Sequence, residues 1–119
     1  MNSERMRRVD EVIRQVIADA VAADLKDPRV GFVTVTDVRT SADLRHARVY
    51  VSVFSETGPS DPAERDSTLE GLRSAHGFLQ GRIAEELRLK RTPTLDFLYD
   101  DTTDRALRVD ALIDEIGRS

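Results

Sequence analysis

The chain has 119 residues, of which 18 are lysine or arginine and 22 are aspartate or glutamate, so its formal net charge is −4, and it contains no cysteine. This length fits one soluble domain with its own hydrophobic core, and the lack of cysteine excludes disulfides and cysteine-based zinc or iron–sulfur sites. No apolar stretch approaches the roughly 20 residues of a membrane helix and no hydrophobic signal region opens the chain, so a cytoplasmic protein without a membrane anchor is expected.

The first predicted element is an amphipathic helix over residues 3 to about 25. Apolar residues recur every three or four positions, as at Val9, Ile13 and Ile17, which is the spacing of a helix with one buried stripe. Pro28 keeps the residue before it out of helical geometry and so ends the helix. The polar side carries four arginines, Arg5, Arg7, Arg8 and Arg14. Two interpretations stay open for them: ordinary solvated surface, or an edge that faces phosphate.

Two strands are predicted next, over residues 31–39 and 46–54. The first is rich in β-branched residues and the second alternates between apolar and polar side chains, both of which favour strands. The residues between them read as a turn, so the pair forms a hairpin with one face toward helices. The other face, which carries Arg48 and Tyr50, meets water. Residues 55–63 are predicted to be a turn-rich connector.

Residues 64–89 have helical spacing, but three glycines, Gly71, Gly77 and Gly81, interrupt it. Each glycine inside a helix costs about 1 kcal/mol relative to alanine, so something must offset them. One explanation is close packing against the sheet, and the other is a break between two shorter helices whose exposed amides face a partner. The apolar stripe loses its phase over residues 74–77, so a kink is predicted there, with packing alone as the alternative.

A third strand over residues 94–99 follows Pro93, and residues 100–104 are expected to open a last helix. Its inward residues would be Leu107, Val109, Leu112, Ile113 and Ile116. The predicted fold is therefore α+β, in the order helix, strand, strand, helix, kink, helix, strand and a short terminal helix. Helices are expected on one face of a three-stranded sheet.

Candidates for catalysis are few. His46 and His76 are the only histidines, and there is no cysteine or serine-elbow nucleophile. Asp96, Asp100 and Asp101 could hold Mg²⁺ for phosphodiester cleavage, which leaves a metal-dependent ribonuclease as one alternative. Aspartates and threonines before an apolar helical run are also typical of a capped helix start, and this interpretation is favoured. No enzymatic activity, metal or cofactor is therefore predicted.

The region from residue 73 to 91 is locally basic. This segment contains five basic residues and only two acidic ones, Glu85 and Glu86, so its local charge is +3 although the chain as a whole is acidic. The five are Arg73, Arg82, Arg88, Lys90 and Arg91. No glycine-rich nucleotide loop is present, but a basic segment beside exposed amides suits a phosphate backbone. A protein-interaction module is the remaining alternative.

Several segments in this order resemble the bacterial ribosome-binding factor A family. They are the helix-first order, the strand pair of residues 30–54, Ser-Ala-His-Gly at 74–77, Arg-Thr-Pro-Thr-Leu-Asp-Phe at 91–97, and Tyr-Asp-Asp at 99–101 before a Leu/Ile-rich segment. The resemblance spans nearly the whole chain. It implies a type II KH-like domain over residues 1–119, in which a helix–kink–helix replaces the Gly-x-x-Gly loop of ordinary KH domains.

The resemblance also implies a function. The family consists of non-catalytic assembly factors that bind the free or immature 30S subunit, support maturation of the 16S rRNA 5′ end, and support growth in the cold. A monomer without a small-molecule substrate is expected. By resemblance, the kink that approaches rRNA would consist of Ser74, Ala75, His76 and Gly77.

The residues themselves suggest which cations contact phosphates. Arg73, Arg82, Arg88, Lys90 and Arg91 are the main candidates. Weaker candidates are Arg5, Arg7, Arg8, Arg45 and Arg48. About five phosphate contacts predict a log–log salt slope of about −4 for RNA binding.

Overall fold

The computed structural model describes residues 4–30, 32–55, 58–88 and 90–102. Within them the helices are α1 (Glu4–Ala23), α2 (Pro62–Ser74) and α3 (His76–Leu87), and the strands are β1 (Phe32–Thr40), β2 (His46–Ser55), β3 (Gly58–Pro59) and β4 (Thr94–Tyr99). The order α1-β1-β2-β3-α2-α3-β4 confirms the predicted α+β arrangement, including two helices in place of one long one. The predicted last helix lies outside the described residues, apart from its expected start at residues 100–102.

The apolar stripe of α1 explains why this segment is helical and where it packs. Val9, Ile13, Ile17 and Ala20 are buried, one turn apart, so a single face of the helix points into the core. α1 contacts β1 and α3 and ends at Ala23, slightly before the predicted end. None of the helices in the described part of the chain is both long and apolar enough to span a membrane.

β2 is the centre of the sheet. It pairs antiparallel with β1, from Phe32 opposite Phe54 to Thr40 opposite Ala47, and parallel with β4. β3 pairs with the end of β2, so the segment predicted as a turn-rich connector also contains a two-residue strand. Gly58 has a φ of 135°, a conformation that favours glycine and lets the chain reverse directly after β2.

The two faces of the sheet differ in burial. Ala47, Val49, Val51 and Val53 of β2 are buried, and since side chains alternate along a strand, they all point to the same face. All three helices contribute residues to that buried cluster, which confirms that the helices cover one face. The opposite face, which we call the open face, exposes residues such as Phe54.

Candidate nucleic-acid interface at the broken helix

The helix predicted to kink near residues 74–77 is broken at Ala75. This residue has φ −89° and ψ 8°. Its amide donates to Leu72 O at 3.1 Å and Gly71 O at 3.3 Å, and its carbonyl accepts from the Leu79 amide at 3.0 Å. Ala75 therefore joins two separate helices, because the helical pattern of backbone hydrogen bonds does not run continuously through it.

The two helix starts differ in capping. At the start of α2, Asp61 Oδ1 accepts from the Glu64 amide at 2.8 Å, as a capping side chain does. At the start of α3 the cap position is Ala75, which has no side-chain acceptor and makes no side-chain cap hydrogen bond. The first amides of α3 are the groups that usually need such an acceptor. The break thus offers backbone N–H groups that can donate hydrogen bonds to an anionic oxygen.

A loop before β1 supports the α2 side of the break. A Cβ placed on Gly71 would lie 2.8 Å from Val30 Cγ2 and 3.3 Å from Arg29 Cβ, so α2 approaches this loop as closely as only glycine allows. A Cβ on Gly77 or Gly81 would meet no atom within 4 Å in the described part of the chain. Both explanations for the glycines therefore apply. Close packing explains Gly71, although α2 packs there against a loop and not against the sheet. The helix break explains the region of Gly77.

Arg29 ties the same loop to the break. Its guanidinium donates to Ser74 Oγ at 3.0 Å and pairs with Asp27 Oδ2 at 2.6 Å. The hydrogen bonds from the Arg29 side chain, and then from its backbone amide, lower the pKa of Asp27 from 3.8 to about 2. Ser74, predicted to approach rRNA, is thus already an acceptor within the protein.

The outer edge of β4 binds side chains from both sides of the break. Arg73 Nη2 donates to Phe97 O at 3.1 Å, the Leu95 amide donates to His76 Nε2 at 3.0 Å, and Gln80 Nε2 donates to Pro93 O at 3.0 Å. The three groups belong to alternate residues, Pro93 directly before β4 and Leu95 and Phe97 within it, and the backbone groups of such alternate residues point away from β2. Side chains of the broken helix therefore form hydrogen bonds with backbone N–H and C=O groups that would otherwise be unpaired at the edge of the sheet.

Arg82 also has protein partners. Its guanidinium lies 2.5 Å from Asp24 Oδ2 and 5.4 Å from the centre of the Phe78 ring. The groove between α1 and α3 near it is lined by four carboxylates, those of Asp19, Asp24, Glu85 and Glu86. That groove is acidic and disfavours a polyanion.

Three of the five main basic candidates have no ion-pair partner among the described residues. Arg88, Lys90 and Arg91 are exposed, and none forms an ion pair with any residue in the described ranges. Arg88 ends α3 in the left-handed conformation, with φ 50° and ψ 38°, which bends the chain away from the helix. We call these three residues the basic loop.

Other candidates lie at the same end of the sheet as the basic loop. The Thr94 amide donates to Arg45 O at 2.8 Å, so the β1–β2 hairpin adjoins the loop, although Arg45 Nε is 3.9 Å from Asp43 Oδ2. Asp10 Oδ1 accepts from the Thr40 amide at 2.9 Å, which places the first half of α1 beside this end. Arg5, Arg7 and Arg8 there are exposed.

Arg48 lies near the same end of the sheet, three residues after Arg45. It points to the open face, between Arg39 of β1 and Asp96 of β4 in the strand register. The structure therefore places the basic loop, Arg45 and Arg48 at one end of the sheet, with Arg48 on the open face, and Asp10 of α1 contacts Thr40 at that end.

The three carboxylates considered for metal binding do not converge. Asp96 and Asp100 are four residues apart at β4, about 13 Å along an extended strand. Asp100 Oδ2 accepts from Thr36 Oγ1 at 2.6 Å, and its Oδ1 accepts from the Thr102 amide at 2.9 Å, as expected for a capping residue. In the described ranges, no group of three or more His, Asp or Glu side chains, Asp101 included, is placed to hold a metal ion.

Sequence reasoning did not identify Arg29, Asp27 or Gln80. Arg29 is 45 residues from Ser74, and Gln80 is 13 residues from Pro93. No local pattern predicts such contacts. The only available signal was the Asp-Pro-Arg sequence at 27–29, which marks a turn without indicating its partner.

The architecture alone defines a class of protein. It is a KH-like α+β domain whose sheet is covered on one face by helices, one of them broken at an alanine. The chain belongs to the ribosome-binding factor A family, because the family model described as "Ribosome-binding factor A" matches residues 5–113.

Individual relatives agree with that assignment. The chain is 45% identical over 113 residues to a protein of Halorhodospira halophila named ribosome-binding factor A, covering 95% of this chain and 86% of that one. The crystal structure of ribosome-binding factor A from Thermus thermophilus aligns with a TM-score of 0.66 at 30% identity, covering 79% and 94%. A Thermus thermophilus homology model fitted into a cryo-EM map of a 30S complex aligns with a TM-score of 0.59 at 27% identity, covering 84% and 96%.

Proposed function

We propose that this protein is a non-catalytic assembly factor that binds the free or immature 30S subunit through its 16S rRNA. Family membership supports the proposal, as does the relative fitted into a map of a 30S complex. In this proposal the protein acts in the cytoplasm as a monomeric RNA-binding domain. It supports late 30S maturation, including 16S 5′-end processing, and growth in the cold.

The basic loop is the observation that carries the proposal. Arg88, Lys90 and Arg91 are exposed and have no carboxylate partner among the described residues, although the chain as a whole has a net charge of −4. Cations without internal partners can release counterions from phosphates when they bind RNA. The guanidinium groups of Arg88 and Arg91 can each contact a phosphate bidentately.

The distribution of charge also indicates how RNA would approach. The acidic groove between α1 and α3 repels a phosphate backbone, whereas the end of the sheet with the basic loop, Arg45 and the first turns of α1 attracts one. In this proposal the first amides of α3, those of His76 and Gly77, add N–H donors for a phosphate oxygen, because no side chain caps this helix start. Such contacts recognise the shape and backbone of folded rRNA and do not read a base sequence.

The structure changes the expected number of phosphate contacts. Arg73 and Arg82 have partners within the protein, so we propose that they position the broken helix and contribute less to RNA binding. Three contacts from the basic loop correspond to a contribution of about −2 to −3 to the log–log salt slope. Arg5, Arg7, Arg8, Arg45 and Arg48 remain weaker candidates.

Density-gradient sedimentation with purified ribosomal particles tests the proposal. We expect the protein to migrate with free 30S subunits at low salt and to dissociate from them as salt rises. Absence from the 30S fractions at low salt, or comigration that salt does not affect, would contradict binding through rRNA phosphates. For the maturation step, depleting the protein in cells grown in the cold should increase the fraction of 16S rRNA with an unprocessed 5′ end.

A further inference from the structure

His76 is held between the break and the edge of β4. Its Nε2 accepts the hydrogen bond from the Leu95 amide at 3.0 Å, and the side chain is half-buried. A ring nitrogen that accepts a hydrogen bond carries no proton. In this arrangement the neutral imidazole therefore bears its proton on Nδ1.

The neighbouring contacts show a chemical match. Arg73 and Gln80 can donate from their side-chain nitrogens, and they meet the carbonyl oxygens of Phe97 in β4 and of Pro93 directly before it. His76 offers an acceptor, and it meets the one backbone N–H in the set. Each strand group thus has a side chain of the complementary kind, which is the condition for holding an edge strand without leaving polar groups unsatisfied.

These three residues also lie on both sides of Ala75. Arg73 belongs to the last turn of α2, and His76 and Gln80 belong to α3. A change in the angle between the two helices would break at least one of the bonds to β4. His76 is the one nearest the break, since it directly follows Ala75.

We propose that His76 is a positioning residue for rRNA binding: through Nε2 it fixes the uncapped first turn of α3 to β4, and it acts without contacting RNA through that nitrogen. This inference rests on the proposed function. It assigns to His76 a different role from the direct contact that its place in the kink suggests. A turn held in place before binding loses less conformational entropy when RNA arrives.

Three variants test this role. His76→Ala should weaken binding to 30S subunits about tenfold, as expected for the loss of one hydrogen bond, and should speed hydrogen exchange at the Leu95 amide. His76→Gln should restore both properties, because its side-chain Oε1 can accept the hydrogen bond from the Leu95 amide in place of the ring Nε2. Gln15→Ala is the control and should change neither, because it removes only an exposed side-chain hydrogen bond within α1, to Asp19.

Hydrogen exchange in the complex separates positioning from contact. The Leu95 amide should stay at least as protected in the bound protein as in the free one. Faster Leu95 exchange on binding would show that His76 leaves the strand to contact RNA, and would overturn the inference. Unchanged 30S affinity of a folded His76→Ala variant, or failure of His76→Gln to restore binding while Leu95 is protected, would overturn it as well.

The same measurements distinguish this inference from the proposed function. If the wild-type protein does not bind 30S subunits, the proposed function fails and the inference with it. If the wild type binds and the His76 variants give a contradictory result, only the inference fails. Should His76→Ala not fold, the His76→Gln result and the exchange rates in the wild-type complex still decide between the two roles.

Discussion

The break at Ala75 and the basic loop lie at the two ends of α3 but differ in how their polar side chains are used. At the break, Ser74 and His76 have hydrogen-bond partners on other elements. In the basic loop, Arg88, Lys90 and Arg91 have no ion-pair partner in the described part of the chain. The difference separates residues that set the shape of a binding surface from residues whose charge is available to a ligand.

Backbone conformation supports the same distinction. Arg88 adopts φ 50°, a region that costs a residue with a side chain about 1 kcal/mol or more. Glycine would adopt this conformation without that cost, whereas Arg88 adds a positive charge at the end of α3. At the break, by contrast, Gly71 is required by a close contact within the protein.

Charge reversal of the basic loop should have the largest effect on binding. Changing Arg88, Lys90 and Arg91 together to Glu should weaken 30S binding at least a hundredfold, equivalent to about 2.7 kcal/mol, because three attractive contacts become repulsive. The melting temperature should stay nearly constant, since none of the three has an ion-pair partner among the described residues. Fluorescence anisotropy and thermal melts measure the two quantities.

A charge-preserving control sharpens that experiment. Arg88→Lys combined with Arg91→Lys keeps the net charge and removes only the bidentate geometry, so the loss should remain below about tenfold. A large fall in melting temperature for the Glu variant would instead show that the loop has a structural role.

Two glycine substitutions should change stability in opposite directions. Gly71→Ala should lower the free energy of unfolding by about 1–3 kcal/mol, because its Cβ would lie 2.8 Å from Val30 Cγ2. Gly81→Ala meets no described atom within 4 Å and should raise it by about 1 kcal/mol. Urea denaturation measures both values, and effects of the same sign would contradict the close packing of α2 on the loop before β1.

Arg88→Gly should separate stability from binding at one position. Glycine relieves the left-handed strain, so the free energy of unfolding should rise by about 1 kcal/mol, or about 4 °C in melting temperature. Loss of one phosphate contact should weaken 30S binding about fivefold. If stability and affinity instead change in the same direction, the strain and the charge do not have separate roles.

The smallest expected effect concerns acid stability near the break. The folded pKa of Asp27 is lowered from 3.8 to about 2, so its ion pair stabilises the fold fully above pH 3.8. That contribution is lost as the pH falls from 3.8 toward about 2. The wild-type stability curve should therefore fall more steeply over this interval than that of Asp27→Asn, measured by chemical denaturation at each pH. Parallel curves would show that the pair contributes nothing.

Local patterns were sufficient to predict most of the fold. The stripe of α1, the alternation in β2 and the phase change near Ala75 each depend on residues close in sequence, and each prediction is confirmed. β3 was missed because a two-residue strand contains too few residues to show alternation. The predicted helix beyond Thr102 stays a prediction.

The candidate site was less predictable for a physical reason. A count of charges along the chain treated Arg73, Arg82 and the basic loop alike. Which of them is available depends on partners distant in sequence, such as Asp24, which is 58 residues from Arg82. Only the three-dimensional arrangement shows these pairings.

The salt dependence of 30S binding tests the central claim most directly when the wild type is compared with a variant in which Arg88, Lys90 and Arg91 are all changed to Ala. If these three side chains contact phosphates, the log–log slope of the variant should be shallower than that of the wild type by about 2 to 3. Equal slopes for two folded proteins would show that the basic loop does not contact the RNA backbone, and would contradict its proposed role in 30S binding.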